Sequence, residues 1–200
     1  MTTVIIGSGV TSIGTGAFYS CTNLQNIEIP NSVTSIAMQA FLNCNSLESV
    51  YISDISAWCN IDFDDNESNP MYYDAELYIE GRLATDIIIP DNITQLNSFV
   101  FYNCNSLTSI TIPESVTSIG ECSFSNCERL TSIHFQGDAP AFGNSVFRSV
   151  KAAAYHPEGN KTWTRGAILG CGGTITWEPS ICYYKVTLGG VTYEVSLEAN

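Results

Sequence analysis

Positive charge is scarce in this chain. Seven Lys and Arg stand against 20 Asp and Glu among 200 residues, a formal net charge of −13. That balance repels phosphate backbones and argues against nucleic acid as a partner. No polybasic segment offers a bilayer contact, and no apolar run approaches the roughly 20 residues of a spanning helix. The start, Met1-Thr-Thr-Val-Ile-Ile6, lacks the basic residues and long apolar stretch of a secretory leader. Histidine is nearly missing, with only His134 and His156 present. A Ser–His–Asp device needs an activated Ser and a buried orienting acid, and serine here mostly follows a repeat. Gly170-Cys-Gly-Gly173 fits no strand–loop–helix phosphate site. These absences argue against an enzyme, and no cofactor or metal is expected.

What is present is a 23-residue unit. Val10-Thr-Ser-Ile13 recurs as Val33-Thr-Ser-Ile36 and Val116-Thr-Ser-Ile119, with a weaker copy at Ile93-Thr-Gln-Leu96. Each copy runs on to a Phe (Phe18, Phe41, Phe101, Phe124), a Cys (Cys21, Cys44, Cys104, Cys127) and a Leu (Leu24, Leu47, Leu107, Leu130). It closes on an alternating apolar pair: Ile27/Ile29, Val50/Ile52, Ile110/Ile112, Ile133/Phe135. A period of that length with this spacing predicts a leucine-rich-repeat solenoid, an architecture that mostly binds and rarely catalyses.

The fold class expected is a β-rich α/β solenoid, right-handed, with short parallel strands on the concave face. Period-2 alternation places those strands at Gln25–Ile29, Glu48–Ile52, Thr108–Ile112 and Thr131–Phe135. Pro30, Pro90 and Pro113 then end the ladder, since proline has no amide to donate. Val-Thr-Ser-Ile supplies a second extended piece opposite. Gly14–Cys21 and Asn97–Cys104 are expected as short helical turns, dependent on the packing of Phe18 and its equivalents. The repeating cysteines are expected as an inward column of free thiols, since parallel side chains on adjacent coils suit a disulfide poorly. Cys59, Cys122, Cys171 and Cys182 lie off that column, and their state is open.

Ile52 and Ile89 hold equivalent places yet lie 37 residues apart, so one coil, at 53–89, is enlarged. It holds Trp58, Phe63, Tyr72, Tyr73 and Tyr78 among acidic residues, and Leu77–Leu83 reads as a hairpin turning at Glu80-Gly81. Asp62, Asp64, Asp65 and Glu67 have the oxygen ligands calcium prefers, but the EF-hand spacing fails; a solvated loop is the expectation. Residues 1–136 form the array and 137–179 a degenerate last coil with a β-rich C-terminal cap. Residues 180–200 alternate about Gly189-Gly190 as a hairpin, closing the array or opening a further module. Met1, Val4 and Ile6 fall in phase with Leu24, Ile27 and Ile29, so the chain begins inside a repeat. Either upstream repeats are missing, or a neighbouring module or subunit covers that end.

The unit, best seen in Ile112-Pro-Glu-Ser-Val-Thr-Ser-Ile-Gly120 through Phe124 and Cys127, resembles the BspA-type (Treponema pallidum-type) leucine-rich repeat. Ile55–Ile61 with Asn69-Pro-Met71 resembles a variant coil of the same arrays. Ala37 where Gly is usual, and Phe99-Val100 in place of x-Ala, depart from the pattern. The resemblance implies modular cell-surface or secreted bacterial proteins, often adhesive; such arrays also occur in phage genomes, which leaves a virion-associated location as the alternative.

The residue between the two inward apolar positions points outward from each strand: Glu28, Tyr51, Ile88, Thr111 and His134. With Trp58, Tyr72 and Tyr73 of the enlarged coil, these are the candidate binding residues. Aromatic anchors ringed by Ser, Thr and Asn suit a protein or glycan ligand. A spacer or stalk with nothing on the strand face is the competing expectation.

Overall fold

The computed structural model describes the backbone of residues 2–180, 183–188 and 191–196, and the side chains of residues 2–180. It is a parallel-strand β-solenoid of about eight turns. Each regular coil places one strand in a front sheet and a two-residue strand in a back sheet. A run of tight turns forms the third side. Thr3–Ile5, Asn26–Glu28, Ser49–Ile52 and Glu76–Ile79 stack in parallel at the front. Asp86–Ile88, Ser109–Ile112, Ser132–Phe135, Lys151–Pro157 and Thr174–Ser180 form a second front stack. The back sheet is likewise in two parts: Ser12–Ile13, Ser35–Ile36 and Asp62–Phe63, then Gln95–Leu96, Ser118–Ile119 and Ala141–Phe142. Among the described residues no helix is long and apolar enough to cross a membrane.

The repeat positions explain the core. Ile27, Val50, Leu77, Ile110 and Ile133 are fully buried between the sheets. Each such aliphatic side chain contributes about 1.5–3 kcal/mol through area removed from water. Phe18 stacks on Phe41, and Phe101, Phe124 and Phe147 stack in series at centroid distances of 5.4 and 5.7 Å. Offset stacking at this range adds to plain burial.

The spacing predicts short helical turns on the third side; the structure has instead a run of turns in which φ changes sign. Gly16 and Ser20, Gln39 and Asn43, Phe99 and Asn103, Cys122 and Asn126, and Ser145 and Ser149 all have positive φ. Alternate amides consequently point in different directions. Phe99, Phe101 and Asn103 donate to the carbonyls of Glu121, Ser123 and Ser125 one coil on, while Tyr102 and Cys104 close local turns. A helix would spend every amide within its own coil. This geometry adds a third inter-coil ladder instead.

Three buried thiols follow the expected column: Cys44, Cys104 and Cys127. Cys21 does not, being exposed. Off the column, Cys59 and Cys171 are buried and Cys122 is half-buried, all as free thiols. Cys182 lies outside the described residues.

The enlarged coil is mostly absorbed into the solenoid. Tyr51 pairs with Tyr78 and Ile52 with Ile79, so residues 53–79 make one complete coil with its own front strand. The chain then turns back antiparallel through Arg82–Leu83 before Asp86–Ile88 starts the second stack. Side chains join the two stacks where the backbone ladders stop. Trp58, Asn69 and Asn97 donate to the carbonyls of Val100, Phe99 and Ile61 at 2.7–3.0 Å. Asn103 Nδ2 reaches the carbonyl of Met71 at 2.9 Å.

Beyond residue 136 the parallel ladder continues through Lys151–Pro157 to Thr174–Ser180. Phe135, Phe142, Phe147, Trp163 and Trp177 gather beneath those strands, with Phe135 4.7 Å from Trp163. Tyr183–Leu188 and Val191–Ser196 pair antiparallel; the Gly189-Gly190 turn expected between them lies outside the described residues.

Candidate recognition face

Register aligns the outward residues of the front strands into two rows, one in each stack. Ile5, Glu28, Tyr51 and Tyr78 are successive partners, as are Ile88, Thr111, His134, Tyr155 and Glu178. Tyr51 and Tyr78 stack with centroids 5.0 Å apart. Leu83 lies directly opposite Tyr78 on the returning strand and so shares its face. Ile88 is 73% exposed. Farther along, His134 stacks on Tyr155 at 4.9 Å while its Nε2 sits 2.8 Å from Ser132 Oγ. A shallow groove of about 580 Å³ opens there between Thr111, His134, Tyr155 and Pro157.

Electrostatics sharpen the row. Glu76 accepts the Tyr78 hydroxyl at 3.0 Å, and that bond, with smaller contributions from burial and the same carboxylate's charge, raises the Tyr78 pKa. Asp86 accepts the Thr85 hydroxyl at 2.9 Å. A larger groove, about 1100 Å³, lies elsewhere, past the C-terminal ends of the front strands. Its Asp138 is already held by Asn160 at 2.8 Å, and Thr162 supports the amide of Ala139.

Glu28 and Tyr51 thus take outward positions on the first front stack and Ile88, Thr111 and His134 on the second, and three other candidates lie elsewhere. Trp58 is 1% exposed, its indole spent on Val100; an internal donor cannot reach a ligand. Tyr73 accepts the amide of Asn43 through its hydroxyl at 3.1 Å, on the turn side. Tyr72 is half-buried there, stacked on Tyr102, and burial first, then the Glu67 charge, raises its pKa. The acidic loop is also committed to structure: Asp64 accepts from Met38 N, and Asp65 caps Ser68 N while facing Gln39 N. At Gln39 the Asp65 carboxylate takes the place of the carbonyl that receives the equivalent amide of Gly16, so the loop is not simply solvated. No group of three or more His, Cys, Asp and Glu among the described residues is placed to hold a metal ion.

Comparison with known proteins fits this geometry. A model of the BspA-type leucine-rich-repeat region, in six copies, matches residues 1–67 and 77–168. The chain belongs to the BspA-type leucine-rich-repeat family. The T. pallidum leucine-rich-repeat protein has a similar fold, at 19% identity over 86% of each chain and a TM-score of 0.50. A leucine-rich-repeat protein from Bacteroides ovatus matches 80% of this chain and 50% of its own, at 22% identity and a TM-score of 0.40. A leucine-rich cell surface protein from Faecalibacterium prausnitzii matches 76% of this chain and 60% of its own, at 17% identity and a TM-score of 0.29. None of the curated proteins matches the chain.

The recurring BspA-type positions are the buried Phe, Cys, Leu and Ile, which set the fold. The outward row lies between them and differs from coil to coil. Tyr78, Leu83 and Tyr155 belong to that row and were not singled out from the sequence. For Tyr78 a signal existed, because Leu77-Tyr78-Ile79 repeats the pattern of Val50-Tyr51-Ile52.

Proposed function

We propose that this protein is a non-catalytic recognition module that seats a protein or carbohydrate partner on the outward row of its front sheet. The observation that carries this reading is the Tyr51–Tyr78 stack, with exposed Ile88 at the outward position of the strand that opens the next stack, on strands whose other outward positions are largely Ser, Thr, Asn and carboxylates. Keeping large apolar groups in water has no folding benefit here. Aromatic anchors in a polar surround are what partner surfaces supply. A cell-surface or secreted location belongs to the same proposal and is testable by protease shaving of intact source cells.

The test presents the parent chain and a Tyr51→Ser/Tyr78→Ser/Ile88→Ser variant to arrayed extracellular-matrix proteins and glycans, after circular dichroism establishes equal folding. Capture by the parent and loss in the variant is the expected result. Capture independent of these three side chains would overturn the front-face reading and favour a spacer or virion-associated stalk.

A further inference from the structure

The aromatic stretch of the front sheet carries one sign of charge. We infer that its partner is a cationic peptide segment in which Lys or Arg alternates with apolar residues, a proposal that rests on the recognition reading above and names its ligand class. Glu28 is the direct neighbour of Tyr51 across the ladder. Glu76 precedes Tyr78 by two residues and Asp86 precedes Ile88 by two, so each carboxylate lies on the same face as its apolar neighbour. Among the described residues, no Lys or Arg occupies an outward position on the six front strands from Thr3–Ile5 to Ser109–Ile112. The one cation close by, Arg82, pairs with Ile79 and so takes the opposite face from Tyr78 and Leu83.

The arrangement offers a cation both of its ordinary attractions at once. A guanidinium or ammonium over the free face of a tyrosine meets the ring quadrupole, and its charge lies within reach of a carboxylate already fixed by a hydroxyl hydrogen bond. The apolar residues between the basic ones would cover Ile88 and Leu83. A neutral sugar could donate hydroxyls to these carboxylates but brings no charge to neutralise them, and an anionic glycan is repelled by them and by the net charge of −13. That net charge also steers a cationic partner toward the chain, an effect that salt suppresses.

The experiment measures fluorescence anisotropy of a short labelled peptide of alternating Lys and Val, beside its Glu–Val counterpart and labelled chitin and mannan oligosaccharides. Parent protein is compared with Glu28→Gln/Glu76→Gln/Asp86→Asn, with Tyr51→Ser/Tyr78→Ser, and with Glu114→Gln/Glu121→Gln/Glu128→Gln. The last removes the same charge from other faces. Circular dichroism checks that each variant is folded. The parent should bind the Lys–Val peptide and not the Glu–Val one, more weakly in high salt. Both front-face variants should lose about tenfold or more in affinity, while the off-face control changes little. No binding of the Lys–Val peptide, or equal loss in the two charge variants, overturns the inference. An oligosaccharide that binds instead, and is lost with Tyr51 and Tyr78, overturns the inference but leaves the recognition reading standing. Binding of any probe that ignores the tyrosines counts against both.

Discussion

The indole Nε1–H of Trp58 donates a 2.9 Å hydrogen bond to the carbonyl of Val100, 42 residues further along the chain. Both groups are buried. The bond therefore fastens the enlarged coil to the next one where no backbone ladder crosses. Trp58→Phe keeps most of the packing but orphans a buried carbonyl, at a cost of about 1–3 kcal/mol. Trp58→Ala adds a cavity and should cost about 3–5 kcal/mol. Urea midpoints measure both. A Phe variant as stable as the parent would show that the bond contributes nothing.

Gln39 has φ of 57° and an exposed side chain. A β-branched residue is poorly suited to this region, so Gln39→Val should destabilise by about 1–2 kcal/mol. Gln39→Gly meets no such strain and should stay within about 0.5 kcal/mol of the parent. Equal stability of the two variants in thermal melts would contradict the alternating-φ account of the turn side.

Gly14 and Gly120 occupy the same place in the repeat and should respond differently to Ala. A Cβ on Gly120 would meet the Ser98 amide nitrogen at 2.5 Å, whereas one on Gly14 meets nothing within 4 Å. Gly120→Ala forces adjacent coils apart, with an expected loss of about 1–3 kcal/mol. Gly14→Ala should be silent. Chemical denaturation of both variants decides the matter.

Burial pushes the Cys104 thiol up to about 11 and the Cys59 thiol up to about 12, from an ordinary value near 9. Their folded-state protons are therefore held beyond the pH at which the unfolded chain releases them. The associated stability is complete below about pH 9 and is lost as pH rises toward 11–12, at up to about 1.4 kcal/mol per pH unit per thiol. Urea titrations at pH 8 and pH 10.5 should show this decline, and Cys104→Ala should make it shallower. Iodoacetamide at pH 8 should label Cys21 in the folded protein and reach Cys44, Cys59, Cys104 and Cys127 only on unfolding. Labelling of the buried four at native rates would contradict their burial.

The regular coils were legible because one residue pattern does one job in each: Ile27, Val50, Ile110 and Ile133 must all be buried by a neighbour. The turn side was misjudged, although Asn43, Asn103 and Asn126 hinted at left-handed positions, which Asn tolerates better than most residues. The enlarged coil was harder. Nothing near Asp64 and Asp65 in sequence reveals that the amides of Met38 and Gln39, each 26 residues earlier, require acceptors. Trp58 and Tyr73 looked like surface aromatics for a related reason. Their polar atoms satisfy backbone groups of Val100 and Asn43, which only the stacked arrangement brings close.

The front ladder breaks between Leu83 and Asp86 and the back ladder between Phe63 and Gln95, so beyond the chain itself and the shared apolar core the two stacks are joined by side-chain hydrogen bonds. Under tension applied to its ends, the molecule has a built-in fuse. Bonds at the junction are strained one after another, while the parallel ladders on either side share the load across many amides. The tyrosine pair belongs to one stack and Ile88 to the other. A partner bridging them would act as a splint, raising the rupture force of the junction most in the complex.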